Sequence, residues 1–449
     1  MKSINPYNGE IVFENKKHTQ KEVEKIIENA HQAFLDWRFS SFEEREAKMK
    51  KLGEILIKNK EKYAEVMALE MGKPIAQGIS EIEKCAWLCN YYAENALEQL
   101  KDKKIKTEAS SSYVKYEPLG VILAIMPWNY PFWQVFRFAV PTLMAGNTTL
   151  LKHASNVMQS AKIMEEIFSQ AEFPKNTFNT LFIGSDKVEK IIRNPRVKGV
   201  SLTGSKAAGA AVASIAAEEI KPSLLELGGS NALVVFADCD MENTLQTVIN
   251  ARFQNTGQSC IAGKRLVIEE SIAEEFISKL IKKTIELKSG DPTELSTFIG
   301  TMVNKEAAKH LHDQLQKSLK MGAKLLIGGN YNDAYFEPTI VSDVHQKMPV
   351  FHEETFGPLL ACTTFKTVEE AADLANATEF GLGVSLFTQN QKWVEKMIPI
   401  LQDGAVFVNE LVKSDPRLPF GGTKTSGYGR ELSQDGIMAF VNKKTVYVK

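Results

Sequence analysis

VILAIMPWNYPFWQVFRFAVPTLMAGNTTLLK, residues 121–152, decides the fold. VILAIM (121–126) is a short apolar run that halts at a proline, which predicts a buried strand. The stretch near 134–145 is long enough for a helix, and TTLLK (148–152) reads as a second strand. The rhythm continues through FNTLFI (178–183), KGVSL (198–202) and LLEL (224–227), with helices near 157–171, 186–193 and 206–219 between them. Strand, helix, strand in this order predicts a parallel sheet with crossover helices. A second series follows. ALVVF (232–236), KRLVIEE (264–270), AKLLIGG (323–329), LLACTTF (359–365), GVSLFT (383–388) and GAVFVN (404–409) alternate with helices near 241–254, 272–288 and 305–321. Upstream, residues 20–66 and 76–100 carry helical spacing. KDKKIK (101–106) is a polar break, and SSSYVKYEPLG (110–120) alternates like an exposed strand. The tail TVYVK (445–449) alternates too and is expected to pair with another chain's edge. The fold class is α/β, with two domains sharing one continuous chain.

Composition excludes several function classes. Of 449 residues, 54 are Lys or Arg and 55 are Asp or Glu, so the formal charge of −1 gives no global electrostatic reason to bind nucleic acid or an anionic membrane. No run approaches the ~18 apolar residues of a membrane helix. The N-terminus has no apolar signal core. The five scattered cysteines form no disulfide framework, so a reducing, cytoplasmic setting is expected.

Three residues stand out chemically. Cys260 lies in QNTGQSCIAGKR among small and polar neighbours; its thiol needs help from charge, dipole or a base to act as a nucleophile. Cys85, Cys89, Cys239 and Cys362 sit among apolar or helical neighbours and read as packing residues. Glu226, in LLELGGS, is a carboxylate at a strand end whose flanking glycines are expected to leave it open to a ligand, as a general base requires. Set against this is an ordinary salt bridge. Asn129, in MPWNYP, offers two amide N–H donors suited to an oxyanion, or is simply a turn residue between prolines. His310 and His312 point to different sides of a helix, and no zinc pattern is present. There is no GxGxxG after a strand. Gly204 to Gly209 lacks the Lys and Ser/Thr of a phosphate loop, but strand, Thr203-Gly204-Ser205 and helix could still hold a phosphate on free N–H groups.

Taken together, these segments resemble the aldehyde dehydrogenase superfamily. MPWNYP (126–131), LLKHAS (150–155), SLTGS (201–205), LELGG (225–229), GQSC (257–260), EETFGP (353–358) and PFGGTKTSGYGRE (419–431) occur in the family's order over nearly the whole chain. Within the superfamily the chain is most similar to bacterial succinate-semialdehyde dehydrogenases. The resemblance implies a Rossmann-type cofactor domain (1–102 and 119–229), an α/β catalytic domain (230–426) and a β oligomerisation arm (103–118 and 427–449). It implies Cys260 as the nucleophile that attacks the aldehyde, Asn129 and the Cys260 backbone N–H as the oxyanion donors, and Glu226 as activator of the water that releases the acid from a thioester. It places Trp128 in the cofactor cleft, Glu354 and Phe356 at the nicotinamide ribose and ring, Lys152 and Ser155 at the adenosine ribose, and Gly204 and Ser205 by the pyrophosphate.

Ser155 stands where many NAD-preferring relatives carry a glutamate that repels a 2′-phosphate. With Lys152 nearby, NADP is expected to be accepted, with NAD as the other cofactor; a hundredfold preference for NAD in kcat/KM would contradict this. Arg137, in FWQVFRFAV, is costly to bury unpaired. The resemblance implies that it clamps a substrate carboxylate together with Ser414; a structural ion pair is the other reading. Some relatives have a second arginine where this chain has Gln254, so Arg417 is a candidate to compensate. Ala262 replaces the second cysteine of some eukaryotic relatives, so that local disulfide cannot form.

The expected reaction is NAD(P)-dependent oxidation of an aldehyde bearing a carboxylate, succinate semialdehyde to succinate, in a homodimer or homotetramer with no metal. The alternatives are another semialdehyde or a neutral aldehyde as substrate, a coenzyme-A-acylating enzyme, against which Glu226 argues, and a non-catalytic binding protein.

Overall fold

The rhythm read from residue 121 onward is present in the computed structural model, which describes residues 1–449. Val121–Met126 and Thr148–His153 pair in parallel, with Ile125 opposite Lys152. The helix Pro131–Met144, buried along its whole length, crosses between them. Phe178–Thr180 extends the sheet beyond Thr148–His153, while Val197–Thr203 and then Ser223–Glu226 extend it on the other side. The strand order therefore reverses between Val121–Met126 and Val197–Thr203. Loops leaving neighbouring strands part at such a point and open a crevice at the carboxyl ends.

The second sheet has seven strands, in the order Lys324–Ile327, Thr339–Ser342, Leu359–Phe365, Gly263–Glu269, Asn231–Val235, Val384–Phe387 and Val406–Val408. Only the pairing of the edge strand Lys324–Ile327 is antiparallel. No helix is long and apolar enough to cross a membrane.

Three expectations change. The strand in FNTLFI ends at Thr180; the Leu181 N–H makes a last bond to the Leu151 carbonyl, and Phe182 and Ile183 are apolar because they are buried. Lys103–Lys104, inside the polar break, form a short strand on Ser111–Pro118. The tail also has a partner within its own chain: Val441–Val448 pairs antiparallel with Ser111–Pro118 along eight positions and forms the edge of that three-stranded sheet, with its outer side unpaired. Residues 427–440 lie outside this arm sheet. Gly427–Tyr428 adds an antiparallel edge to Ser223–Glu226, and the helix Ser433–Met438 packs on Pro131–Met144 and Ile75–Gln99.

Candidate active site

Three consecutive residues ahead of Cys260 are held in the left-handed region: Asn255 at φ 53°, Thr256 at φ 53° and Gly257 at φ 71°. Such a run costs roughly 1–3 kcal/mol for each non-glycine residue and persists only where neighbours over-determine it. The neighbours are visible. The Asn255 N–H donates to Gln77 Oε1 (2.6 Å), its Nδ2 donates to the Asn129 carbonyl (2.8 Å), and the Gly300 N–H donates to Thr256 Oγ1 (3.1 Å). At Gly257 a side chain would also collide with the Gly357 carbonyl. The turn presents Cys260 just before the strand Gly263–Glu269, with its backbone N–H free of any protein acceptor. Asn129 is buried nearby and donates Nδ2 to the Gln258 carbonyl at 3.1 Å, leaving its second amide hydrogen uncommitted.

Two cavities meet at Cys260. One, of about 220 Å³, follows the crevice of the first sheet and is lined by Trp128, Asn129, Gly204, Ser205, Glu354 and Phe356. The Trp128 and Phe356 rings stand edge to face with centroids 5.7 Å apart. Ser205 caps the helix Lys206–Glu218, accepting from the Ala208 N–H. Glu354 Oε1 accepts from the Gly229 N–H and from Lys264 Nζ, each at 3.1 Å. Lys264 also donates to the carbonyls of Ser259 and Cys260, tying the Cys260 loop to Glu354. Lys152 and Ser155 lie outside this lining, at the end of the neighbouring strand. Ser155 is exposed, and Lys152 has no carboxylate partner; burial alone pushes its pKa down.

The other cavity, of about 340 Å³, is lined by Lys84, Arg137, Gln254, Ser414 and Phe420 among others. Arg137, Ser414 and Cys260 thus line one cavity. Arg137, 2% exposed, has its Nε ion-paired with Glu431 and stacks over Phe420, with 4.5 Å from Cζ to the ring centroid. The ion-pair reading is therefore realised, because an arginine on an all-buried helix needs a permanent counter-charge. Arg417 does not compensate: it is exposed and bonded to Asp415 at 2.6 Å. Breaking the Arg137–Glu431 pair leaves an uncompensated buried carboxylate, at about 3–5 kcal/mol. Arg137→Met is expected to lose that much in chemical denaturation, and Arg137→Met with Glu431→Gln to regain most of it. A double variant no more stable than the single one would remove the pair as the cause.

Glu226 departs from expectation. It is 2% exposed rather than open, lines neither cavity, and neither of its oxygens accepts a hydrogen bond. Burial holds its pKa well above the usual carboxylate range, and the Glu431 charge adds to the rise; Arg137 and Arg430 oppose it. Cys260 is also pushed up, to about 11, first by burial, with Arg137 and Lys264 pulling the other way. Both cavities open on the sulfur, so solvent there moderates the rise. Sequence reasoning missed Lys84, Lys264 and Glu431. In the sequence Lys84 is only one charged residue on the helix expected over 76–100, although it sits beside the buried Cys85 and three residues after the buried Glu81.

Comparison with known proteins agrees with this geometry. The model of the aldehyde dehydrogenase family matches residues 1–446. A probable NADP(+) succinate-semialdehyde dehydrogenase of Synechocystis sp. is 45% identical over 449 residues, covering 99% of each chain. NADP(+) succinate-semialdehyde dehydrogenase 1 of Mycobacterium tuberculosis is 41% identical over 452 residues, again 99% of each. The crystal structure of succinic semialdehyde dehydrogenase from Streptococcus pyogenes in complex with NADP+ superposes with a TM-score of 0.97 at 34% identity, covering 100% of this chain and 99% of that one. By whole-chain match in sequence and in fold, the chain belongs to the aldehyde dehydrogenase family.

Proposed function

We propose that this enzyme oxidises succinate semialdehyde to succinate with NADP as the favoured cofactor. The observation that carries the reading is the placement of Cys260 where a cleft at the carboxyl ends of a parallel sheet meets a cavity containing buried cations. The names of the relatives at 41–45% identity support the same substrate and cofactor.

The chemistry follows from the residues. The Cys260 thiolate adds to the aldehyde carbon, and the oxyanion is held by the free Asn129 amide hydrogen and the Cys260 N–H. Loss of hydride from that thiohemiacetal leaves a thioester, which water activated by Glu226 cleaves to the acid. A nicotinamide dinucleotide held in the cleft would supply the hydride acceptor. Trp128 and Phe356 flank its cleft, Glu354 turns a carboxylate toward it, and Gly204 and Ser205 offer a helix N-terminus to the pyrophosphate. Lys152, part-buried and without an acidic partner, and the exposed Ser155 suit the ribose phosphate of NADP.

Ser155→Glu is expected to lower the NADP-to-NAD ratio of kcat/KM by about 100-fold, because like charges are brought together. An unchanged ratio would detach residue 155 from cofactor choice. The test of the function is a panel of four- to six-carbon semialdehydes against neutral aldehydes of matched length, with both cofactors, with and without coenzyme A. The expected result is fastest NADP reduction with succinate semialdehyde and free succinate as product. Equal kcat/KM for butanal and succinate semialdehyde, or product formed only as a coenzyme A thioester, would overturn it.

A further inference from the structure

The carboxylates around the substrate cavity are already matched with cations, and one cation is left over. Glu81 pairs with Lys73 and accepts the N–H groups of Phe132 and Trp133. Glu431 pairs with Arg137, and Asp415 with Arg417. Lys84 has no carboxylate partner. Its Nζ donates to Ser414 Oγ at 2.8 Å and lies 4.2 Å from the centroid of the Trp133 ring. Ser414 is buried and makes no other side-chain hydrogen bond, so its own hydroxyl hydrogen is free to donate. Lys84, Ser414 and Cys260 line the same cavity. An ammonium taken out of water without a counter-ion is costly, and the cost is relieved when an anion arrives.

The geometry points to Lys84, with Ser414, as the group that binds the distal carboxylate of the substrate, while Arg137 lends its field from the far side of the ion pair with Glu431. This rests on the semialdehyde reading above and moves the principal clamp from Arg137 to a lysine on the helix Ile75–Gln99. An ammonium and a hydroxyl side by side present the two donors that one carboxylate can accept. Arg137, with Nε committed, is left to favour negative charge in the cavity and to hold Glu431.

The assignment has a pH signature. Lys84 is pushed down to about 8, first by burial and next by the Arg137 charge; Cys85 and Glu81 on its own helix and Asp415 on the facing loop pull it back up. The charge that recognises the substrate is therefore lost as pH rises through about 8 in the free enzyme. The quantity to follow is the ratio of kcat/KM for succinate semialdehyde to that for butanal, which cancels the titration of Cys260 common to both. In the wild-type enzyme the ratio is expected to be high near pH 7 and to fall across pH 8 to 9.5. Lys84→Met is expected to lower it by roughly 10- to 150-fold at pH 7, chiefly through KM, which is the range for a hydrogen bond to a charged group. Lys84→Arg, which keeps its charge over this range, should recover part of the ratio and flatten its pH profile. A wild-type ratio near one defeats the semialdehyde reading itself. A high wild-type ratio that neither falls above pH 8 nor responds to Lys84→Met overturns the assignment of Lys84. Where Lys84→Met fails to fold, the wild-type pH profile and Lys84→Arg decide.

Discussion

Cys260→Ala is expected to lower kcat for aldehyde oxidation by at least about 10⁴-fold while the protein stays folded, in line with the loss seen when a covalent nucleophile is removed. Only Cys260 and Gln134 line both cavities, Cys260 is the one nucleophilic side chain of the two, and no other cysteine can replace it. Cys85, Cys89 and Cys362 are buried, and Cys239 lines neither cavity. The fold should tolerate the change because the side chain borders cavities rather than filling a core. The resting thiol has a further property. With its pKa pushed up by burial, it is protonated at neutral pH. Alkylation of Cys260 by iodoacetamide, taken as the difference between wild type and Cys260→Ala, is therefore expected to accelerate about tenfold per pH unit between pH 7 and 10. A rate independent of pH would mean that the thiolate is already formed at rest. Substantial turnover by Cys260→Ala would end the covalent scheme.

How much of this was legible follows the range of the interactions. The strands at Val121–Met126 and Leu359–Phe365 coincide with the apolar runs that announce them, because a strand buried on both faces needs nothing but short apolar sequence between breakers. The loops that follow the first sheet's strands were legible too, since Pro127, Gly204 and Gly228 mark the ends from which ligands are reached. What could not be read are pairings between distant segments. Lys84 meets Ser414 across 330 residues, and its neighbours in sequence show only a charged residue on an amphipathic helix. Arg137 was recognised as too costly to leave unpaired, but its partner Glu431 lies in a glycine-rich segment with no sign of burial in its own composition. The orientation of Glu226 was misjudged for the same reason. Flanking glycines open space at the backbone, yet here Gly421 and the segment through Arg430 and Glu431 come from far along the chain to fill it.

Glu226→Gln is expected to reduce steady-state turnover by about 10²–10⁴-fold, the usual worth of a general base, while sparing a first burst of one reduced cofactor per active site. Addition of Cys260 and loss of hydride precede the need for water, so the acyl-enzyme should accumulate. The resting position of the carboxylate makes this a demanding prediction, because the group lines neither cavity and must turn toward the thioester to act. It is weakly held where it is: with neither oxygen hydrogen-bonded, leaving the site breaks no bond and relieves burial. The raised pKa fixes the sign of the pH effect. Below it the carboxyl is protonated and cannot accept a proton from water, so wild-type kcat rises with pH, and this limb should be missing from Glu226→Gln. Glu431→Gln removes the neighbouring negative charge and releases Arg137, both of which favour ionised Glu226, so it should move the limb to lower pH. If Glu226→Gln instead suppressed the burst as strongly as the steady state, the carboxylate would be acting before the thioester forms, and its assignment to hydrolysis would fail. An undisturbed steady state would show that water is activated by another group.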